Sequence, residues 1–301
     1  MMKKTYKVAE HSFSIEAEKD FPFWTLMEEC YGPFETDDTE TSCLFKMLVD
    51  ESVCCENKTL IYSNADEESE GFVVYSVYKL DDDSHYFELR QPFSSETNAC
   101  LSISADYSHA VLNLSGSKWN QWQTLNTAVN LCYYLAAIRQ HTLLLHASAV
   151  EYKGKAYLFL GKSGTGKSTH SRMWKHALDG VTLINDDHPI VRMYNGEIIV
   201  YGSPWSGKTH CYKNMRVPLG GIIRIIRAPY NKATRLSPIH SYASVMPSCG
   251  GMVWEKEFAD KRDATIQKII SRIPCWKMEC LPNEDAAKEC SKVVTEVWKV
   301  D

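Results

Sequence analysis

The sequence contains Gly161-Lys162-Ser163-Gly164-Thr165-Gly166-Lys167-Ser168-Thr169, and the rest of the chain is interpreted outward from this stretch. It matches the Walker A pattern G-x-x-x-x-G-K-[ST], whose glycines let backbone N–H groups converge on phosphate oxygens. In this pattern Lys167 reaches the β- and γ-phosphates of a nucleotide, and the hydroxyl of Ser168 is a ligand of Mg²⁺. Every residue of the stretch is therefore a candidate for nucleotide binding. The alternative is a tight Gly-Ser turn on the protein surface.

The flanking residues supply the structural context that this motif requires. Residues 155–160, Lys-Ala-Tyr-Leu-Phe-Leu, predict a buried strand that leads into the loop. Residues 168–178 contain neither Gly nor Pro and predict a helix that ends near Asp179-Gly180. The N-terminus of such a helix adds a partial positive charge where phosphate would bind.

A histidine lies on the strand predicted before the loop. Residues 142–150 predict a strand, and a two-residue turn at Lys153-Gly154 would place His146 opposite Gly161. A lone histidine on an apolar strand is ordinarily a core residue, but this register favours a functional role beside phosphate. A functional His146 near carboxylates is expected to have a raised pKa, whereas burial in an apolar core would lower it.

A pair of aspartates follows the predicted loop helix. Residues 181–185 predict a short apolar strand that ends in Asp186-Asp187, a position where carboxylates can hold Mg²⁺ and activate a nucleophile. The alternative is a simple turn. A second hairpin, centred on Asn195-Gly196, predicts that Asp187 faces Pro204. The loop Trp205–Thr209 would then lie at the same end as the aspartates, with Lys208 either touching phosphate or exposed as a surface lysine.

Composition limits the classes of partner. The chain has 301 residues, of which 44% are hydrophobic and 24% charged, and its formal net charge is -5. That charge argues against general nucleic-acid binding, and no apolar run approaches the roughly 18 residues of a membrane helix. The start of the chain has no signal-peptide pattern. The 11 cysteines lack CxxC pairs and zinc spacing, so we expect reduced thiols in a cytoplasmic protein.

The pattern along the chain predicts two domains. Residues 1–118 predict a β-rich N-terminal domain, and 119–140 carry a helix-period apolar stripe that predicts a helix linking the two domains and packing on the second. Residues 141–301 predict an α/β nucleotide-binding domain. In the first domain, strands are expected at 72–78, 86–89, 100–104 and 110–114. The acidic runs at 35–40 and 66–70 are interpreted as solvated loops, with a metal or partner site as the alternative.

The hairpin, the loop and the paired aspartates together resemble the HPr kinase/phosphorylase and phosphoenolpyruvate carboxykinase-like group, over residues 142 to about 240. The resemblance implies a P-loop kinase domain with a mixed sheet and flanking helices, and it places His146 beside the nucleotide. It also implies that one aspartate, taken as Asp186, ligates Mg²⁺ with Ser168, and that Asp187 is the general base. Thr169 stands where HPr kinases usually have Glu, which is closer to the carboxykinase pattern.

These observations predict an ATP- and Mg²⁺-dependent phosphotransferase that moves the γ-phosphate to a hydroxyl of a protein serine or a small molecule. The catalytic candidates are Lys167, Asp186, Asp187 and His146. The alternatives are a non-catalytic nucleotide-binding sensor, a simple ATPase and a carboxykinase-like enzyme. The expected partners are a nucleotide and a hydroxyl acceptor, without nucleic acid or membrane. The sequence leaves open whether the chain is a monomer or a homo-oligomer.

Overall fold

The computed structural model describes residues 1–37, 43–50, 53, 58–66, 73–250 and 254–298. The chain divides into two compact units, Met1–Ala137 and Ile138–Asp301, and its fold is mixed α/β, with large mixed sheets and several helices. The acidic runs predicted as loops, at 35–40 and 66–70, fall partly outside the described residues. Within the described ranges, no helix is long and apolar enough to cross a membrane.

The first unit is built on one sheet with the strand order β1-β2-β3-β8-β7-β6-β5-β4. Its elements are β1 (Met2–Val8), β2 (His11–Ala17), α1 (Trp24–Tyr31), β3 (Lys46–Val49), β4 (Thr59–Ser63), β5 (Val74–Lys79), β6 (His85–Arg90), β7 (Ala99–Ile103), β8 (His109–Leu114) and α2 (Lys118–Ala137). The strands predicted at β5 to β8 are confirmed, whereas β1 to β4 and α1 were not predicted. Helix α2 belongs to this unit and packs against β6, β7 and β8. It therefore lies on the first sheet, whereas the sequence pattern had suggested packing on the second domain.

The second unit carries the glycine loop. Its elements are β9 (Thr142–Leu144), β10 (Ala147–Tyr152), β11 (Lys155–Leu160), α3 (Lys167–Ala177), β12 (Thr182–Asp187), β13 (Ile190–Tyr194), β14 (Glu197–Tyr201), β15 (Arg216–Arg227), β16 (Lys232–Arg235), α4 (Pro238–Val245), α5 (Lys256–Ile270), β17 (Cys275–Cys280) and α6 (Glu284–Glu296). Its sheet has the order β12-β10-β11-β15-β14-β13-β9, with β17 paired to both β15 and β16. Strands β11, β15 and β17 are parallel, so their carboxyl ends lie at one edge.

An apolar core holds the strand, loop and helix in place. Trp174 of α3 is fully buried, and its ring packs 5.3 Å from the rings of both Tyr157 and Phe159 on β11. Helix α6 closes the same core, and Asn283 caps it by accepting a 3.0 Å hydrogen bond from Ala286 N. Aromatic burial of this size fixes α3 on the sheet, so the loop between β11 and α3 has rigid ends.

The single strand predicted over 142–150 is divided in two at Leu145-His146. Strand β9 pairs with β13 and strand β10 with β12, and both pairings share one register, Leu144 opposite Ile190 and Ala147 opposite Asp187. The break lies opposite Pro189, between β12 and β13, and proline has no N–H to donate to a ladder. The amide of His146 instead donates to the carbonyl of Ser248, at 2.7 Å. His146 therefore lies at a bend and not within a strand.

The described cysteines are free thiols, and most of them are buried: Cys30, Cys43, Cys100, Cys132, Cys211, Cys249, Cys275, Cys280 and Cys290. Burial raises the pKa of several of these thiols, among them Cys30 to about 12. A buried thiol with a raised pKa is a small apolar side chain without nucleophilic character at neutral pH.

Candidate functional site

The glycine loop presents an open surface at the start of α3. Gly164 and Gly166 have φ values of 73° and 111°, which favour glycine, and a Cβ at either position would meet no heavy atom within 4 Å. No side chain caps the helix, whose first backbone hydrogen bond runs from His170 N to Gly166 O at 2.8 Å. By helix geometry, the N–H groups of the first turn have no partner within the helix. The loop therefore offers donors and a positive helix end to an anion.

Lys167 is the first residue of α3, and its side chain turns back over the loop. The residue is only 8% exposed. Its Nζ donates hydrogen bonds to Gly161 O and to His146 Nε2, each at 3.0 Å. Burial lowers the pKa of Lys167, and the charges of Asp187 and Asp186 oppose this shift. The groups that the ammonium touches are uncharged, so its positive charge remains available to an anionic ligand.

His146 lies between Lys167 and the second aspartate. The predicted hairpin register is confirmed from Tyr152 opposite Lys155 to Ala147 opposite Leu160, the pair that precedes His146 and Gly161. The Nε2 atom of His146 is 3.7 Å from Asp187 Oδ1, and the side chain is 31% exposed. The ring is therefore part of a polar cluster and not of the apolar core.

The pKa of His146 is lowered, which is the direction expected for a core residue and not the rise expected for a functional one. Burial and the positive charge of Lys167 lower the pKa of His146 to about 4, against the opposing effect of Asp187. Only the carboxylates were considered in the expectation, whereas the Lys167 ammonium lies closer to the ring than either of them. His146 is therefore neutral at neutral pH and accepts a hydrogen bond from Lys167 through Nε2. The sign of this pKa shift does not separate a site residue from a core residue.

Asp187 is the last residue of β12 and is held by a second histidine that the sequence interpretation had missed. His188 Nδ1 is 3.2 Å from Asp187 Oδ2. The rings of His146 and His188 are 6.3 Å apart and inclined by 24°. Burial alone would raise the pKa of Asp187. The hydrogen bond and charge of His188, together with the charges of His146 and Lys167, outweigh this effect, so the pKa is lowered. The register that pairs Leu144 with Ile190 also brings His146 opposite His188. This pairing would have revealed that His188 belongs to the site.

Asp186 lies on the face of the sheet that α3 covers. It is buried and lies opposite Ser148 on β10, and Ser148 Oγ is 2.6 Å from Ser171 Oγ on α3. Opposite residues of an antiparallel pair share a face, and successive residues of a strand alternate. Asp186 therefore points to the side that α3 covers, whereas the Asp187 carboxylate lies beside His146 at the end of the strand. Both aspartates lie at the end of β12 (Thr182–Asp187), as the prediction of a strand that ends in Asp186-Asp187 implied.

The predicted register of the second hairpin holds from Ile190 opposite Tyr201 to Tyr194 opposite Glu197, but not beyond it. Asp187 bridges Ser206 and not Pro204. The chain leaves the ladder at Ser203, whose hydroxyl donates to His188 O at 2.7 Å and accepts from Trp205 N at 3.2 Å. The loop still reaches the aspartates, as predicted.

Lys208 and Ser168 had also been assigned roles, in contacting phosphate and in binding Mg²⁺. The amide of Gly207 donates to Asp186 O at 2.8 Å, which fixes the backbone of the aspartate pair. Lys208 follows it and is exposed. Ser168, the second residue of α3, is also exposed. In the part of the chain that the structure describes, no hydrogen bond or ion pair joins Lys208 to the cluster of Lys167, His146 and Asp187.

The residues predicted to hold Mg²⁺ do not form a complete metal site by themselves. Among the described residues, no group of three or more His, Cys, Asp or Glu side chains is placed to hold a metal ion. The hydroxyl of Ser168 and the carboxylate of Asp186 are oxygen donors, the type that Mg²⁺ prefers. Protein sites for Mg²⁺ commonly supply one or two such ligands and leave the others to substrate phosphates and water.

Arg227 is another residue that the sequence interpretation did not assign to the site. It ends β15, which runs parallel to β11, and its Nη2 donates a hydrogen bond to the carbonyl of Gly164. The parallel pairing was the missing information, since it brings the carboxyl end of β15 to the glycine loop.

Comparison of the chain with known proteins gives no match, either to a protein-family model or to a curated protein.

Proposed function

We propose that this protein is a Mg²⁺-dependent phosphotransferase that moves the γ-phosphate of ATP to a hydroxyl, with a P-loop domain of the HPr kinase type. One observation carries the proposal: the Lys167 ammonium is buried over the glycine loop among uncharged acceptors, and His146, its hydrogen-bond partner, lies next to the Asp187 carboxylate. A buried positive charge beside an ionised carboxylate suits a reaction in which phosphate and a hydroxyl meet.

The loop and the helix bind the phosphates in this proposal. Backbone N–H groups at the start of α3 donate to phosphate oxygens, and Lys167 offsets their charge. Ser168 and Asp186 would hold Mg²⁺, which supplies further neutralisation of phosphate charge when it is bound. His146 accepts a hydrogen bond from Lys167 and so orients the ammonium along the loop. Catalysis then consists of positioning and of charge stabilisation.

Asp187 accepts the proton of the acceptor hydroxyl. Its lowered pKa means that the carboxylate is ionised at neutral pH, which a proton acceptor requires. His188 contacts one carboxylate oxygen, at 3.2 Å, and fixes its direction. A lowered pKa also makes the carboxylate a weak base, so its main contribution is to orient the hydroxyl for in-line attack. Phosphoryl transfer through a loose transition state needs little more from the base.

A nucleotide sensor without turnover is the second candidate. The observation in its favour is that both oxygens of Asp187 already have a histidine nearby, Oδ1 with His146 at 3.7 Å and Oδ2 with His188 at 3.2 Å. A carboxylate engaged in this way has less capacity to accept a proton. The sensor would bind Mg-ATP tightly without forming a phosphorylated product.

Phosphorus NMR separates the two functions. The protein is incubated with Mg-ATP, first alone and then with serine-containing peptides, sugars or a cytosolic extract, and binding is measured in parallel by calorimetry. A phosphotransferase produces ADP together with a new phosphate-ester resonance that depends on the acceptor. Release of inorganic phosphate alone would indicate an ATPase. Tight binding with unchanged ATP resonances under every condition would replace the enzyme by the sensor.

A further inference from the structure

The loops after β15 and β17 lie at the same sheet edge as the glycine loop, on the side away from the aspartates. Strand β11 pairs with β10 on one side, and β10 in turn pairs with β12, which carries Asp186 and Asp187. On its other side β11 pairs in parallel with β15, and β15 with β17, so that Leu160 aligns with Arg224 and Arg227 with Cys280. The glycine loop therefore lies between the aspartates and these two loops.

A nucleotide bound as proposed above would extend from one side to the other. Its terminal phosphate lies with Lys167 and Asp187, on the side of β10 and β12. The remaining phosphates follow the loop, so the nucleoside emerges on the side of β15 and β17. Arg227 marks the start of that region, because its guanidinium donates to the carbonyl of Gly164 within the loop.

The two loops on this side are braced against each other. The amide of Ala228 donates to Cys280 O at 3.1 Å, and that of Leu281 to Asn231 Oδ1 at 2.9 Å. Asn231 Nδ2 donates to Asn283 Oδ1 at 3.1 Å, the atom that also caps α6. Backbone and side-chain bonds thus hold residues 228–231 against 280–283, which gives a rigid surface.

This braced surface presents apolar side chains to solvent. Tyr230 is 51% exposed and Leu281 38% exposed. The hydroxyl of Tyr230 donates to Glu279 Oε1 at 3.2 Å, which restrains the ring. Single exposed apolar residues are common, but here two of them lie on loops that are bonded together and linked to the glycine loop through Arg227. An exposed, restrained aromatic face is the usual platform for a flat heterocycle.

We propose that Tyr230 and Leu281 form the surface on which the purine base of a nucleoside triphosphate packs, with the phosphates in the glycine loop. This proposal rests on the proposed function. It assigns a nucleoside subsite to residues that have no role in the transfer chemistry. Contact with the base depends on the ring of Tyr230, whereas the hydroxyl only orients it.

The test compares two ligands that share the phosphates but not the base. Affinities for Mg-ATP and for Mg²⁺ with inorganic tripolyphosphate are measured by calorimetry for the wild type, Tyr230→Ala and Tyr230→Phe. Loss of stacking should weaken ATP binding by Tyr230→Ala about tenfold and leave tripolyphosphate binding unchanged. Tyr230→Phe should bind both ligands like the wild type, because the ring remains.

Trp298→Ala is the matched control. Trp298 is also a partly exposed aromatic residue, but its indole donates to Gly220 O at 2.9 Å, and Nζ of Lys155, the first residue of β11, lies over its ring. It should bind ATP as the wild type does. Leu281→Ala is a second variant, which should weaken ATP binding by a few-fold and serves if Tyr230→Ala does not fold.

The outcomes separate the two proposals. Equal ATP affinity for wild type, Tyr230→Ala and Leu281→Ala would overturn the base surface, while leaving the phosphate site intact. An equal loss of both ligands in Tyr230→Ala would also overturn it, since the ring would then act on the loop. A wild type that binds neither ligand would overturn the proposed function together with the base surface.

Discussion

The two sides of the glycine loop are built from different chemistry. On the side of β10 and β12, charged and titratable groups crowd together, with Lys167 hydrogen-bonded to His146 and Asp187 contacting both His146 and His188. On the side of β15 and β17, the loops are joined by amide hydrogen bonds and expose an aromatic ring. Under the proposed function, the first side would contact the terminal phosphate and the second the nucleoside.

Lys167→Ala tests the side of β10 and β12 and has the largest expected effect on nucleotide binding. Loss of a charge-assisted contact of about 3 kcal/mol should weaken Mg-ATP binding about 100-fold. The thermal midpoint should stay close to that of the wild type, because the ammonium is buried at a desolvation cost and carries no core packing. Calorimetry and thermal unfolding measure the two quantities.

Lys175→Ala is the control for this variant, since Lys175 is an exposed lysine on the same helix. It should match the wild type in both measurements. Equal ATP affinity for Lys167→Ala and Lys175→Ala would remove the glycine loop as a nucleotide site.

Asp187→Asn and Asp186→Asn should separate transfer from metal binding. The first should lower the rate of phosphate-ester formation by about 10²- to 10⁴-fold with ATP affinity changed only a few-fold, because the neutral amide accepts no proton. The second should raise the Mg²⁺ concentration needed for half-maximal rate. Turnover is followed by phosphorus NMR across a Mg²⁺ titration.

Asp179→Asn, an exposed aspartate in the turn after α3, provides the baseline for both variants. If all three variants transfer phosphate at the rate of the wild type, the aspartate pair has only a structural role.

The pKa values of His146 and His170, two histidines of the second unit, can be compared with and without Mg-ATP. Burial lowers the pKa of each ring to about 4, but His170 packs between Phe159 and Trp174, whereas His146 contacts Lys167. Bound phosphate adds negative charge near His146 and offsets that of Lys167, so Mg-ATP should raise the pKa of His146 by about one unit. The pKa of His170 should not move, because its surroundings are apolar.

Imidazole titration by NMR, with and without Mg-ATP, measures both shifts. Identical responses of the two rings to Mg-ATP would place His146 outside the phosphate site. A lowered pKa of His146 on binding would also contradict the proposal, since phosphate near the ring favours its charged form.

Local patterns predicted most of the second unit. The alternation and turn residues of 147–160 and 190–201 fix both hairpin registers, and the loop helix and its glycines follow from the motif. These elements depend on neighbours in sequence, so the residues that decide them are a few positions apart. The same holds for the cap of α6 at Asn283.

What the sequence did not reveal depends on pairing between distant segments. The bend at His146 coincides with Pro189, which lies between β12 and β13 and more than 40 residues away in sequence. Arg227 reaches Gly164 only because β15 joins β11 in parallel. The functional interpretation of His146 gave its pKa shift the wrong sign, because Lys167 was placed against phosphate and not against the ring. In the first unit, β3 pairs in parallel with β2 and β8, a pattern without a local turn signal.

Gly207→Ala tests the side of β10 and β12, and it has the smallest expected effect on turnover. A Cβ at Gly207 would lie 3.3 Å from Asp187 Cβ and 3.4 Å from Asp187 Cγ, with Asp186 O at 3.1 Å. These distances are tight enough to displace the carboxylate by a few tenths of an ångström without forbidding the fold. We expect turnover to fall several-fold, since catalysis depends on positioning, with ATP affinity unchanged and a stability loss of about 1 kcal/mol.

Gly180→Ala should show the opposite combination. Gly180 has a φ of 82°, and a Cβ there would meet nothing within 4 Å. Left-handed backbone costs a residue with a Cβ roughly 1–2 kcal/mol, so the thermal midpoint should fall while the turnover of folded protein stays at the wild-type value. The two alanines thus exchange their effects, one acting on the rate and the other on stability. Gly207→Ala with wild-type turnover and a lowered midpoint would show that the loop supports the fold and does not position Asp187.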